Sequence, residues 1–496
     1  FDLGVSYKVK DHVFSFSGGR NFFDGYSQND SLRSMGISGS QDSWKPKRQY
    51  FFDGYYIYSK PNTKIKASSS WFDEKLLNRG NLIGPYYETA FDNYFITSRS
   101  TSKLELNQKV KTARYMNLMV SYSYYSRKKE TYFKDLTTLT ETPTINPEDW
   151  DTTRFHNTLC RGTFSKSDPE SRFNYQLGFD FNIEAASGKR ITDYKQMIGD
   201  YAVFLSVQYQ PFKWFDLQPG IRFIYNTKYQ APLVYSLNLK FAMQEHYSIR
   251  ASYSRGFRAP SLKELYLYFV DVNHNVKGNP DLESENSRNV NLSLQYNRET
   301  PKSFIGLELN FFYNNINHVI TLAQSTGNLY TYINVDKYIT QGAQVVFNYR
   351  LYPWWSLRTG AGMTGRYNSL SESETGSGEF YYSPDAVVTT TYRWLKAELD
   401  FTVDYKFTGK MPQFFVYGDG QVIEGYISAY NTMDFTMQKS FFKNRLTIGT
   451  GIKNIFNNTT IPAVGEGGVH SGGTTSTPVG WGRTVFLQAA INFNKF

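Results

Sequence analysis

Side chains in this 496-residue chain alternate between apolar and polar with a period of two, and the pattern restarts about every 22 residues along nearly the whole length. Leu233, Tyr235, Leu237, Leu239 and Phe241 take one set of positions, and Ser236, Asn238 and Lys240 take the other. The next stretch sets Tyr247, Ile249, Ala251 and Tyr253 against Ser248, Arg250, Ser252 and Ser254. Successive side chains of a strand leave opposite faces of a pleated backbone, so a period of two means strand. One face is dense in Tyr, Phe and Leu; the other carries charges in almost every strand. A soluble sandwich buries the first and wets the second, whereas this balance fits a barrel with lipid outside and water inside. Register is then strongly fixed, because a one-residue slip exchanges the faces and Lys or Arg at mid-depth in lipid costs about 2–4 kcal/mol.

Composition agrees. Aromatic residues make up 18% of the chain, with 40 Tyr and 39 Phe. Mean hydropathy is low because a spanning strand needs only every second residue apolar. No run of about 18 apolar residues offers a membrane helix. No signal peptide is visible, and the chain opens directly on a strand at Phe1, which predicts that processing or truncation removed what came before. Cys160 stands alone, so no internal disulfide forms. The formal charge is +10, but Lys and Arg are spread through strands and loops rather than gathered in a stripe. This argues against nucleic acid and suits anionic lipid headgroups or an anionic ligand.

Tight turns and long connections alternate. Lys10-Asp11, Lys60-Pro61-Asn62, Gln244-Glu245-His246, Thr300-Pro301 and Tyr352-Pro353-Trp354 are tight. Asp24 to Arg48, Lys128 to Asp149, Ala259 to Asn286, Gly409 to Gly425 and Asn457 to Gly480 are read as long loops. This asymmetry is that of bacterial outer-membrane barrels, whose loops carry recognition. About 21 strands result, the last running from Trp481 to Phe493. Closed barrels of this kind have even strand numbers. The expectation is an all-β, transmembrane antiparallel β-barrel of the 22-stranded type forming one domain over residues 1–496, with the first strand and an N-terminal plug absent from this chain.

Two boxes bring a family into view. The first is Arg255-Gly-Phe-Arg-Ala-Pro-Ser-Leu-Lys-Glu-Leu-Tyr266, containing Arg258, Ala259 and Pro260; the second is Gly278-Asn279-Pro280-Asp281-Leu282. Together they resemble the signature of TonB-dependent outer-membrane receptors. Gly451 to Asn457 is similar to that family's penultimate strand, and Gly482 to Phe493 to its closing strand. Phe493 is the in-phase terminal aromatic, although Phe496 could equally serve as the assembly signal. The resemblance implies a plug inside the barrel and import of a scarce nutrient powered by TonB with its inner-membrane energising complex. It also implies an outer-membrane address and a transported ligand rather than an intrinsic cofactor. The barrel lacks the large extensions of the glycan-importing branch, so a metal chelate is expected, with haem or cobalamin the narrow expectation and a ferric siderophore the alternative.

Candidate ligand contacts follow. In haem-importing members a histidine between the two boxes is a proposed iron ligand, which points to His274; a solvated loop histidine is the plain alternative. His470 lies in a Gly-rich loop and could swing over the pore mouth. Tyr266, Tyr268, Phe269 and Tyr417 lie in aromatic-rich outer segments, together with Tyr381-Tyr382, where rings could stack on a planar ligand or simply pack with one another. His12 and His246 fall at tight turns, His318 near a strand end, and His156 is expected with Arg154 on the water-facing side. No Gly-x-Ser-x-Gly elbow, phosphate loop or His-Glu-x-x-His occurs, so no enzyme is expected. A passive porin would have about 16–18 strands, fewer than counted here. Further partners expected are a surface-exposed lipoprotein, lipid and lipopolysaccharide.

Overall fold

The computed structural model describes residues 1–25, 45–270, 275–324, 329–369, 380–416, 422–442, 445–465, 475–478 and 482–492. Among them are 29 strands. Twenty-one are eight or more residues long, the number the turn pattern predicts.

The chain divides into two compact units. The first comprises Phe1–Val207, Gly220–Leu233 and Ala259–Asp281. Its first eight long strands form an antiparallel meander in which each pairs with the next long strand of the chain. They are Asp2–Val9, His12–Phe23, Lys47–Lys60, Thr63–Asn78, Thr89–Lys111, Arg114–Asp135, Asp151–Lys166 and Phe173–Gly188. The second unit, Gln208–Pro219, Val234–Arg258 and Leu282–Phe496, repeats the arrangement. Its ladders run from Val234–Met243 through Tyr247–Arg258, Glu285–Glu299, Ser303–Gln324, Leu329–Leu351, Trp355–Asn368, Tyr381–Trp394, Leu399–Thr408, Tyr430–Phe441 and Leu446–Lys453 to Thr484–Ile491. The tight turns bend sharply: Lys10 and Ala113, in two-residue links, and Gln244, in a three-residue link, adopt φ of 50°, 58° and 58°, the left-handed conformation that short hairpin links use.

Register keeps the two faces continuous across strands. Val290, Leu292 and Leu294 sit opposite Tyr253, Ala251 and Ile249 on one side, and opposite Tyr313, Phe311 and Leu309 on the other. The same rule aligns Met116, Leu118 and Val120 with Gln108, Leu106 and Leu104. These rows are exposed: Val290 is 46% and Phe311 44% accessible. So large an apolar surface left in water would drive association.

Several connections depart from the sequence expectation. Strand Arg114–Asp135 runs through Lys128 to Asp135 instead of yielding to a loop, and it is followed by a short strand, Glu141–Pro143, and a 3-10 turn, Pro147–Asp149. Charge does not stop a ladder in water, and Thr89–Lys111 supplies partners along nearly its whole length. At 22–23 residues, these two strands are about twice the length a spanning strand needs. Within 409–425, Met411–Val416 pairs with Val422–Ile427; within 457–480, Thr460–Gly465 pairs with Thr475–Pro478. Short two-stranded ribbons carry weak periodicity, so the sequence pattern alone shows loops there. Tyr381 and Tyr382 open a strand rather than lying in a loop. His318 lies within Ser303–Gln324 at φ 56°, not at its end.

His156 takes the opposite face from the one expected. It pairs with Tyr124, and its Nδ1 meets the Tyr122 hydroxyl at 2.7 Å, in phase with Val120 and Leu118. The alternation of Arg154 and His156 looked polar, but neighbours rather than residue type decide which face is wet. The closing strand is described over Thr484–Ile491; Trp481, Phe493 and Phe496 lie outside the described residues.

Candidate functional site

The wall of the site is built in the first unit by the inward side chains at the long-connection end of three neighbouring strands. Register places Arg99 beside Tyr125 and Tyr125 beside Phe155, then Arg127 beside Thr153, then Phe95 beside Lys129 and Lys129 beside Asp151. A segment carrying the first family box closes over this wall. Ser261 caps a short helix, Leu262–Tyr266: its Oγ accepts from the Glu264 N–H at 3.3 Å, and its own N–H donates to Glu264 Oε2 at 2.8 Å. This reciprocal box satisfies two orphan donors of the helix start. Leu262, Leu265 and Pro260 are fully buried and anchor the turn. The second box braces it: the Gly278 N–H donates to Leu267 O at 2.9 Å and the Asn279 N–H to Glu264 O at 2.8 Å. A Cβ at Gly278 would meet backbone atoms of Leu265 and Tyr266 at 2.8 Å, so only glycine allows this approach.

The anchored segment presents Lys263, Leu267, Tyr268 and Phe269 to a cavity of about 410 Å³. The turn after Phe173–Gly188 adds Arg190, whose Nε donates to Asp151 Oδ2 at 2.7 Å and whose carbonyl accepts from the Tyr268 N–H at 2.8 Å. Arg99, Arg127, Lys129, Arg190 and Lys263 thus face one carboxylate, Asp151, across the lining. Aromatic rings interleave with the cations. The Arg127 guanidinium lies 4.9 Å from the Phe95 ring and 5.1 Å from Phe269; Arg99 lies 5.2 Å from Tyr125 and Arg190 5.4 Å from Tyr268. Such stacks fix the cations while leaving N–H edges to bind an anion. One oxygen of Asp151, Oδ1, is buried without a hydrogen-bond partner among the described residues. A volume within the ordinary range for small-molecule sites, several cations and exposed rings together favour a ligand both aromatic and multiply anionic.

Of the residues singled out in the sequence, Tyr268 and Phe269 line this cavity. Tyr266 does not: the Lys228 ammonium donates to its hydroxyl and sits 4.6 Å from its ring, while its carbonyl accepts from the Thr192 N–H at 3.1 Å. Beside that pair, burial and then the neighbouring Tyr266 push the Tyr229 phenol up to about 12. His274, His470 and Tyr417 lie outside the described residues. The motif residues take architectural positions. Arg258 makes a two-pronged pair with Glu285 at 2.8 and 2.7 Å, and Asn279 Oδ1 accepts from the Asp281 N–H at 3.0 Å. Pro280 follows Asn279 at the start of this turn, Leu282 is buried, and Ala259 leads into the buried Pro260. The cavity's cations escaped the sequence reading. The usable signal is that Arg127 and Lys129 stand two apart in the polar phase of one strand, across the point where the long loop expected from Lys128 begins.

Residues 2–455 match the family described as TonB dependent receptor-like, beta-barrel. The chain belongs to the TonB-dependent receptor family. Solved structures of similar fold include the siderophore receptor PirA from Pseudomonas aeruginosa, at 14% identity and TM-score 0.67 over 99% of this chain and 76% of that one. A mutant of the ferric enterobactin receptor PfeA from the same organism is 15% identical, with TM-score 0.70 over 99% and 77%. The FrpB iron transporter from Neisseria meningitidis is 12% identical, with TM-score 0.67 over 98% and 78%. Identities this low establish a shared fold. No curated protein matches the sequence. The family and these neighbours are receptors and transporters rather than enzymes, and the receptor's exposed apolar rows are those of a membrane barrel.

Proposed function

We propose that this receptor imports a ferric siderophore with aromatic, anionic iron-binding groups of the catecholate class across the bacterial outer membrane, driven through TonB. The lining of the cavity carries the reading: five cations interleaved with five rings against one carboxylate. A ferric tris-catecholate is a polyanion with planar rings, so it meets both features at once, whereas a ferric trihydroxamate is neutral at iron and offers no ring. The tetrapyrrole expected from the sequence is less well supported. The described lining contains no histidine to take haem iron, and a corrinoid has no comparable polyanionic face. The likeness to a ferric enterobactin receptor and to siderophore receptor PirA supports the same direction.

Titration of the full-length detergent-solubilised receptor with a ferric tris-catecholate, a ferric trihydroxamate and haem tests the proposal. The catecholate should bind at least about tenfold more tightly than the hydroxamate, the scale of one hydrogen bond to a charged group, and should weaken with salt. Equal affinity for both chelates contradicts the catecholate assignment. A Soret band with no chelate binding returns the tetrapyrrole.

A further inference from the structure

Arg255 and Arg288 face each other directly across the ladder between Tyr247–Arg258 and Glu285–Glu299. Both are in phase with the outward apolar rows, Arg255 following Ile249, Ala251 and Tyr253, and Arg288 preceding Val290, Leu292 and Leu294. Both stand at the end where these strands enter the long connection 259–284. The next rung towards the apolar band is Tyr253 opposite Val290, with Tyr313 opposite Val290 on its other side. Tyr253 lies 6.1 Å from Tyr235, ring to ring, and Tyr235 and Tyr313 are exposed. A row of tyrosines closing an apolar band marks the headgroup level of a membrane, so the two arginines stand where headgroups lie.

Neither arginine forms an ion pair among the described residues. The sequence supplies no Asp or Glu at any outward position of Val234–Met243, Tyr247–Arg258, Glu285–Glu299 or residues 303–317. The inward face at the same level is treated differently: Arg258, three residues on, is matched by Glu285. Like charges directly opposite in a ladder are destabilising. Two adjacent guanidinium forks are also the arrangement that grips phosphate. We propose that Arg255 and Arg288 clamp a phosphate of the lipid A headgroup of lipopolysaccharide packed against this face. The inference rests on the outer-membrane placement above, with the long connections outside, and not on the identity of the imported chelate.

The test uses the full-length receptor in detergent, loaded with bisphosphorylated or dephosphorylated lipid A and read by native mass spectrometry. The wild-type receptor should retain the phosphorylated lipid about tenfold better, and the double variant Arg255→Gln/Arg288→Gln should lose that advantage. Arg298→Gln, on the same outward face at the tight-turn end, should keep it. Chelate affinity should be unchanged in the double variant, so failure of lipid capture and failure of import separate cleanly. The proposal is overturned if the dephosphorylated lipid is retained equally, if the double variant retains the phosphorylated lipid like wild type, or if millimolar inorganic phosphate displaces it completely.

Discussion

At the residue scale, function concentrates in side chains whose meaning depends on phase. Arg127 is one of many arginines in the sequence, but its strand places it inward, and Phe95 and Phe269 hold its guanidinium between two rings. Arg127→Gln keeps the polarity and removes the charge. It should weaken ferric-catecholate binding about 10- to 100-fold, corresponding to roughly 1.5–3 kcal/mol for a hydrogen bond to a charged group, while hydroxamate binding stays weak. An isothermal titration of both chelates checks this, and an unchanged catecholate affinity would remove Arg127 from the site. Tyr266→Phe removes only a hydroxyl that Lys228 already engages, so it should leave chelate affinity within about twofold while Tyr268→Ala lowers it several-fold, a ring contact being worth about 0.5–2 kcal/mol. The sequence showed the aromatic cluster 266–269 but could not tell which rings face the cavity. That depends on the capped turn at Ser261 and on Lys228, which is 38 residues from Tyr266.

At the scale of elements, alternation was legible wherever a strand had one greasy and one wet face. It supplied the strand number and the phase of Val290, Leu292 and Leu294. It failed where both faces are wet, as in Arg114–Asp135 beyond Arg127, because the hydrophobic contrast that signals a strand is a property of the surrounding medium. It failed also at His156, whose face is set by Tyr122 and Val120. The same asymmetry yields a direct test. Leu292→Arg puts a charge on the outward face and should cost about 2–4 kcal/mol, whereas Asn291→Arg, one residue away and inward, should cost little. Urea titration of both variants refolded into liposomes reads the difference, and equal costs would contradict the assignment of faces. The helix Leu262–Tyr266 makes a different prediction. Leu265→Ala should release its anchor at about 2–5 kcal/mol, raising hydrogen exchange across 261–269 and lowering chelate affinity while the strands stay protected.

At the scale of the molecule, a fixed register makes the wet and greasy faces of each unit two independent surfaces. Inward positions can then collect cations and rings without disturbing the face that meets lipid, and outward positions can carry an arginine pair without disturbing the cavity. The family boxes serve this arrangement by building the connection over the cavity wall, which explains why they identified the family readily and the ligand poorly. Their Pro260, Gly278 and Asn279 shape backbone; of the five cations lining the cavity Lys263 lies in a box, whereas Arg99, Arg127 and Lys129 come from strands, and Arg190 from a turn, that carry no motif.

Energised import of a polyanionic aromatic iron chelate is the proposed activity of this receptor. The direct measurement is uptake of radiolabelled iron from a ferric tris-catecholate by cells whose only receptor is the full-length protein, with TonB present or deleted. Accumulation should require TonB, fall sharply with Arg127→Gln, and be competed by unlabelled catecholate but not by hydroxamate or haem. Accumulation that persists without TonB, or that haem competes while catecholate does not, would contradict it.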